Sequence, residues 1–179
     1  MSDAQGIVPD DKDWTWVLER PCPECGFDAS TCPATEVAAG IRANVADWRS
    51  LHDAGRIRPG RPDPGSWSSL EYAAHVRDVF VLYDERLRRM LDEDDPLYAN
   101  WDQDATAIED RYDEQDPGEV IAALEVAGHQ LADRFDQVTG DGWARRGRRS
   151  DGASFTVDTF SRYLVHDPIH HVWDVRRAR

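Results

Sequence analysis

The sequence predicts an all-α fold, a four-helix bundle with long connections. Four stretches of the 179-residue chain carry apolar residues at spacings of three and four, which is the repeat of one helix face. Acidic segments and segments rich in proline and glycine separate these stretches and predict irregular connections. A hydrophobic content of 40% is enough for one sizeable core. These observations together favour a single bundle over several small domains.

The first two helices are predicted from capping signals and apolar periodicity. The first begins near Thr35, a residue type favoured as N-cap, and runs to about Asp53. The second begins after Ser68, because Ser68 followed three residues later by Glu71 makes a capping box. Its apolar stripe predicts that it continues to about Leu91.

The last two helices follow the same logic. Pro117 is favoured in a first helical turn and predicts the start of the third helix, which Gly140 ends. The fourth begins near Thr156, and Pro168 is predicted to interrupt it, because proline lacks a backbone donor and costs about 3 kcal/mol in a helix interior. Residues 141–154 between them predict an exposed loop or a short hairpin. This segment carries Arg145, Arg146, Arg148 and Arg149. The arginines belong either to a solvated loop or to a docking site for a carboxylate-bearing substrate.

The remaining segments are predicted to be irregular. Residues 1–33 are expected to form an N-terminal extension, and residues 34–179 the bundle domain. The extension begins with a polar stretch, residues 1 to about 13, that is predicted to be disordered or loosely attached. A short extended segment is predicted at Trp14–Leu18, where aromatic and polar residues alternate. The acidic stretch Asp92–Asp116 is predicted to be a long connection, either a solvated crossover or a binding loop.

Three cysteines lie in the N-terminal extension. Cys22 and Cys25 form a C-P-x-C-G sequence, which is typical of half a zinc knuckle, and Cys32 is the third thiol. Three alternatives follow: a structural zinc held by the three cysteines and one outside ligand, a redox function of Cys22 and Cys25, or a simple reduced loop. The odd number of cysteines argues against a disulfide framework.

The charge balance excludes several classes of partner. A formal net charge of −14 opposes binding to nucleic acid and to anionic membranes, since that affinity comes from lysine and arginine. No apolar run approaches the roughly 20 residues of a membrane span, and the first residues do not resemble a signal peptide. We therefore expect a soluble, cytoplasmic protein with a small-molecule substrate, and leave a homodimer open.

Three of the six histidines lie within residues 166–171. His166 and His170 are four residues apart, so on a helix both rings leave the same face, a spacing suited to chelating one divalent ion. A third ligand is expected from His75, which lies beside the apolar stripe of the second helix. The metalloprotease motif H-E-x-x-H is excluded, because Asp167 replaces its glutamate and Pro168 does not fit its rigid helix.

These residues resemble the DinB-like superfamily of metal-dependent bundle proteins (the DinB/YfiT type), which includes thiol-dependent S-transferases and the mycothiol-dependent maleylpyruvate isomerase. The matching pieces are Trp67-Ser68-x-x-Glu71-x-x-x-His75 and His166-x-x-x-His170-His171. The resemblance covers roughly residues 34–177. It implies that the metal ligands are His75, His166 and His170.

The resemblance also implies a chemistry. The protein is expected to bind a divalent metal ion, zinc first, with nickel, iron or manganese as alternatives, and to use it to activate a low-molecular-weight thiol or water for transfer to a small electrophile. Asp78 is predicted as a general base or supporting acceptor in preference to Glu71, and His171 as a supporting or packing residue. The alternative is a non-catalytic stress-response or binding module with a structural metal. A fourth protein ligand such as Asp78 or Asp174 would favour that alternative.

Overall fold

The computed structural model describes residues 13–178, so the predicted disorder of the first 12 residues lies outside the described part. The helices are α1 (Val37–Asp53), α2 (Ser69–Asp92), α3 (Gln103–Glu109), α4 (Pro117–Asp136) and α5 (Val157–Arg177), and the strands are β1 (Leu97–Tyr98), β2 (Arg146–Arg149) and β3 (Ser154–Thr156). Among residues 13–178, every helix is too short or too polar to cross a bilayer.

Four long helices form the predicted bundle. Helix α4 packs against α1 and α2, and α5 packs against the same two helices. Gly128 of α4 permits the close approach, because a Cβ atom there would clash with Val45 of α1 and lie 3.1 Å from the Phe80 ring of α2. The largest fully buried side chains come from all four helices and include Trp48, Phe80, Leu87, Leu124, Phe135 and Phe160. One shared core therefore holds the four helices together.

Local capping signals position the helix ends. The predicted box at α2 is confirmed: the Ser68 hydroxyl accepts from the Glu71 backbone N–H, and the Glu71 carboxylate accepts from the Ser68 N–H. Pro117 is the first residue of α4, as predicted. The predicted N-cap Thr35 is wrong, because it lies inside a 3₁₀ turn that brings Glu36 to the cap position of α1.

Pro168 does not interrupt α5, contrary to the prediction. The helix continues through it to its end at Arg177. Pro168 is buried, and its carbonyl oxygen accepts a hydrogen bond of 2.8 Å from the Asn44 amide of α1. Packing against α1 and α2 offsets the local cost of the proline, since most helix stability in proteins comes from such contacts.

The connections contain more regular structure than the sequence predicts. The stretch between α2 and α4 is not one irregular connection, because it contains β1 and α3. Strand β1 pairs in parallel with β2, and β2 pairs antiparallel with β3, with Gly147 opposite Phe155. The hairpin alternative for residues 141–154 is therefore confirmed. These short strands form a three-stranded sheet in the order β1-β2-β3.

The described part of the N-terminal extension lies against α5. Residues Trp14–Leu18 form a 3₁₀ helix rather than the predicted extended segment. The Asp13 carboxylate starts this turn by accepting from the Thr15 N–H at 2.9 Å, and the fully buried Val17 anchors it in the core. A local cap and one apolar anchor thus decide its conformation.

Candidate functional site

Helix α5 presents two pairs of ligand-type side chains, each spaced by four residues. One pair is His166 and His170, and the other is Asp167 and His171. The pairs are offset by one residue, so they leave the helix about 100° apart. Each pair converges with residues from a different part of the chain, which gives two separate groups of candidate metal ligands.

The first group, called the His/Asp group below, contains His75, Asp167 and His171. One ligand atom from each lies within 4.8 Å of the others. His75 Nε2 lies 3.3 Å from both carboxylate oxygens of Asp167, and His171 Nε2 lies 3.6 Å from Asp167 Oδ2. Two donors that each lie about 2.1 Å from one tetrahedral ion are about 3.4 Å apart. These separations therefore fit three ligands of a common ion.

Neighbouring side chains fix both imidazole rings of the His/Asp group. The buried His75 ring stacks on Trp101 with a centroid distance of 5.3 Å and an angle of 5°. His171 Nδ1 lies 3.1 Å from the Asp174 carboxylate, which leaves Nε2 facing Asp167. A carboxylate on the far nitrogen of a ligating histidine is the usual means of fixing its tautomer and orientation.

The electrostatics of the His/Asp group favour an ionised Asp167 beside a protonated His171, so an ion bound here would have to displace the proton from His171 Nε2. Burial raises the pKa of Asp167, but the charges of His75 and His171 and their hydrogen bonds hold it well below its usual value. Burial lowers the pKa of His171, but the charge of Asp167 and hydrogen bonds to Asp167 and Asp174 raise it to about 9. Asp167 Oδ1 is nevertheless buried without a hydrogen bond of good geometry, although His75 Nε2 lies 3.3 Å from it. An ion bound by the carboxylate would satisfy this oxygen, which is the observation that fits a metal here.

The second group, called the Cys/His group below, contains Cys22, Cys25, His166 and His170. One ligand atom from each lies within 4.8 Å of the others. Cys22 Sγ lies 3.7 Å from His170 Nδ1, although 148 residues separate them in the chain. His166 Nε2 is buried and has no hydrogen-bond partner. The structure thus adds two thiols to the histidine pair predicted from the sequence.

Burial dominates the acid–base properties of the Cys/His group. It lowers the pKa of His166 to about 4, with a further lowering from the charge of His170, and it also lowers the pKa of His170. It raises the pKa of Cys25 to about 11. Both imidazoles are therefore neutral at pH 7, which is the form that binds a metal.

The three histidines predicted as ligands are divided between the two groups. His166 and His170 lie together, whereas His75 lies with Asp167 and His171. All five side chains line the same cavity. Sequence reasoning did not propose Asp167 or His171 as ligands. The signal that could have found them is the same four-residue spacing, read one residue later.

The two carboxylates predicted to assist His75 have other partners. Asp78 accepts hydrogen bonds from Arg77 and from the Tyr112 hydroxyl, and it does not line the cavity. Glu71 is committed to the capping box and to an ion pair with Arg61. The role of Asp78 as a base stays a prediction, and its observed contacts point to helix packing.

A cavity of about 870 Å³ lies beside both groups. Its wall includes Trp101 and two arginines, Arg86 and Arg149. Arg149 pairs with Asp151 at 2.8 Å and donates to the Tyr163 hydroxyl at 3.2 Å. Of the four loop arginines predicted to dock a carboxylate, Arg149 is the one that lines the cavity, and its charge is already compensated. A cavity of this volume accommodates a small-molecule substrate.

Comparisons with known proteins agree with this architecture. The model of the DinB superfamily matches residues 36–175. The solved structure of YfiT from Bacillus subtilis, described as a probable metal-dependent hydrolase with an unusual four-helix bundle topology, superposes with a TM-score of 0.61 at 16% sequence identity. The match covers 98% of this chain and 97% of that chain. Among curated proteins, no sequence matches this chain. The bundle, its histidine-bearing helices and the family match together place the chain in the DinB superfamily.

Proposed function

We propose that this protein is a metal-dependent enzyme whose ion is held by His75, Asp167 and His171. It activates water or a low-molecular-weight thiol for attack on a small electrophile. One observation carries the proposal: three donor atoms from two helices converge within 4.8 Å at the wall of a cavity of about 870 Å³. The lack of a well-oriented hydrogen bond to Asp167 Oδ1 supports an additional partner for the carboxylate there.

The donor set favours catalysis over a purely structural role. Two imidazoles and one carboxylate are three protein ligands, which is the number that leaves a position for water or substrate. An ion bound there would lower the pKa of water or of a thiol, or polarise a carbonyl group. Zinc is the first choice, and iron, manganese and nickel also accept nitrogen and oxygen ligands.

The residues of the chain position and shield this chemistry. Asp174 holds His171 with its Nε2 toward the donors, and Trp101 covers one face of His75. Asp167 contributes a negative charge, which lowers the net charge of a divalent site by one unit relative to three neutral histidines. Tyr72 packs on His171 with a centroid distance of 4.7 Å and restricts the ring further.

The choice between water and thiol rests on relatives. YfiT is described as a probable metal-dependent hydrolase, which favours water as the nucleophile. The resemblance to mycothiol-dependent enzymes favours a thiol. Both reactions need the same three protein ligands and the same open position, so the site supports either one. We further propose a small-molecule substrate and a cytoplasmic location.

The first experiment compares this ligand set with the predicted set His75, His166 and His170, which remains an alternative. Chelator-free protein is analysed for bound metal and assayed with a panel of esters and with thiol plus electrophile. We expect His171→Ala to lose the ion of the His/Asp group and all metal-dependent turnover. If the ion is instead held by His75, His166 and His170, His171→Ala would keep its bound metal and its turnover. A wild-type protein that binds no metal beyond the Cys/His group would contradict the proposal.

The second candidate, a non-catalytic module with a structural metal, predicts a fourth protein ligand on the same ion. Asp174 was one candidate, but its carboxylate lies at the Nδ1 side of His171, away from the converging Nε2. Asp78 was the other, and it is held by Arg77. This arrangement supports the enzyme over the module. A ligand-binding measurement separates them, since a site closed by a fourth protein ligand has no water that added azide or thiol could replace.

A further inference from the structure

We propose that Cys22, Cys25, His166 and His170 form a second, structural zinc site that clamps the N-terminal segment onto α5. This site lies outside the proposed active centre and shares no ligand with it. The inference goes beyond the proposed function and stands on separate residues.

The donor separations fit a tetrahedral zinc. With zinc–sulfur and zinc–nitrogen bonds of about 2.3 Å and about 2.05 Å, a sulfur and a nitrogen on one ion lie about 3.6 Å apart. The observed distance from Cys22 Sγ to His170 Nδ1 is 3.7 Å. The other donors stay within 4.8 Å, so four atoms surround one point.

The donor chemistry is that of a closed site. Two thiolates and two imidazoles complete a four-coordinate zinc and leave no position for water, which is typical of structural sites. Two thiolate charges also neutralise a divalent ion, so a buried site carries no net charge. Cys22, His166 and His170 are buried, and Cys25 is half-buried. The ion would give His166 Nε2 the partner that it lacks.

The backbone from Cys22 to Phe27 forms a turn that suits a metal site. The Gly26 N–H donates to the Cys22 carbonyl at 3.0 Å, and the Cys22 N–H donates to the Phe27 carbonyl at 2.8 Å. Gly26 adopts φ +77°, a conformation that side chains rarely take. This turn brings both sulfurs to one side, as in a zinc knuckle.

The clamp would hold one wall of the cavity. The Trp14 ring lies 5.4 Å from the ring of His166 and 5.6 Å from that of His170. Phe27 packs on His166 from the other end of the segment, at 5.6 Å. Residues 13–15 and Leu18 line the cavity. An ion that links Cys22 to α5 therefore also fixes the cavity wall next to the His/Asp group.

Cys32 provides a matched control. It is a half-buried free thiol on the same segment and is not a member of the Cys/His group. The predicted zinc site with all three cysteines therefore gives way to one with two cysteines and two histidines. A Cys32→Ser change alters one thiol without touching the four donors.

X-ray absorption at the zinc edge tests the site without disturbing its ligands. The full-length His171→Ala protein is measured, so that zinc in the His/Asp group does not dilute the signal. We expect one zinc per chain with two sulfur and two nitrogen neighbours, the sulfurs at about 2.3 Å. A zinc shell without sulfur, or a Cys22–Cys25 disulfide found by mass spectrometry, would overturn the proposal.

Substitution of the cysteines tests the same claim by affinity. Loss of a residue that merely supports a ligand costs about 10–100-fold in metal affinity, so Cys25→Ser should cost at least about 100-fold. Cys32→Ser should leave affinity unchanged. If Cys25→Ser does not fold, titrating the wild type with a mercurial reagent replaces it, and zinc release should follow modification of two thiols. Equal zinc loss in Cys32→Ser, or thiol modification without zinc release, would contradict the site.

The experiments distinguish failure of the Cys/His site from failure of the proposed function. Failure of the Cys/His site would leave zinc in the wild type with nitrogen and oxygen neighbours and without sulfur. Failure of the proposed function would leave one zinc with sulfur neighbours and no metal-dependent turnover.

Discussion

The two ligand groups on α5 differ in completeness, and this difference assigns them different roles. The Cys/His group has four donors, two of them thiols, and ties together parts of the chain that lie 148 residues apart. The His/Asp group has three donors and lies in the wall of the cavity. A full tetrahedral set stabilises a fold, whereas an incomplete set leaves a position for a reacting molecule.

The offset of one residue between the groups explains how one short stretch can serve both. Consecutive positions on a helix point about 100° apart, so two interleaved pairs meet different neighbours. The pair His166 and His170 meets the N-terminal extension, and the pair Asp167 and His171 meets α2. Asp174 lies between the groups, 3.1 Å from His171 and 3.8 Å from His170.

Removing the bound metal should give the largest difference in behaviour between the two groups. A mild chelator should extract the ion of the His/Asp group first, with little change in the melting temperature. Loss of the Cys/His ion removes a cross-link over a long loop, comparable to a disulfide worth about 3–5 kcal/mol. This corresponds to a fall in melting temperature of roughly 6–20 °C. Scanning calorimetry after stepwise chelation checks the order, and one simultaneous loss of both ions would contradict it.

Asp174→Ala should weaken the His/Asp group next in size. Without the carboxylate at Nδ1, the His171 ring loses its fixed orientation, and metal affinity should fall about 10–100-fold. Competition with a fluorescent chelator measures both sites. Asp158→Ala is the matched control, because Asp158 lies on the same helix and pairs with Arg162. Equal effects of the two changes on metal affinity would mean that Asp174 does not support His171 as a ligand.

Asn44→Ala should destabilise α5 at the point where the two pairs interleave. The change removes the side-chain hydrogen bond from the buried Asn44 amide to the Pro168 carbonyl, which costs about 0.5–1.5 kcal/mol. Chemical unfolding of metal-loaded protein measures this loss. Arg49→Ala, which removes an exposed ion pair with Glu125, should cost less than about 1 kcal/mol. A smaller loss of unfolding free energy for Asn44→Ala than for Arg49→Ala would mean that the Asn44 hydrogen bond does not stabilise α5 at Pro168.

Glu24→Gln should give the smallest effect. The Glu24 carboxylate lies 3.2 Å from His170 Nε2, but its side chain is 55% exposed. Solvent screens such a contact, so zinc affinity of the Cys/His group should fall by less than about five-fold. Glu36→Gln, an exposed carboxylate outside the group, is the control. A large loss of zinc in Glu24→Gln would mean that the carboxylate is itself a ligand.

Local signals made much of the fold predictable from the sequence. The capping box at Ser68 and the proline at position 117 mark the starts of two helices. Each signal involves only residues close together in the sequence, so no tertiary information is needed. The small sheet and the continuity of α5 through Pro168 were not predictable in this way. Both depend on contacts between distant segments, because β1 pairs with β2 and Asn44 of α1 donates to the Pro168 carbonyl.

The sequence indicated a histidine-containing metal site but not how the histidines divide between the two ligand groups. Histidines on the second and fourth bundle helices indicated a metal centre, but the azimuth of α5 relative to α2 decides which of them face His75. A shift of one residue exchanges His166 and His170 for Asp167 and His171. The approach of Cys22 to His170 is likewise a tertiary contact that spacing along the chain does not reveal.

Anomalous scattering from crystals grown without chelator would locate the bound ions and their ligands. We expect two peaks per chain, one among His75, Asp167 and His171 and one among the donors of the Cys/His group. Data at the edges of zinc and iron would identify each ion. A single peak coordinated by His75, His166 and His170 together would contradict the division of α5 into two sites.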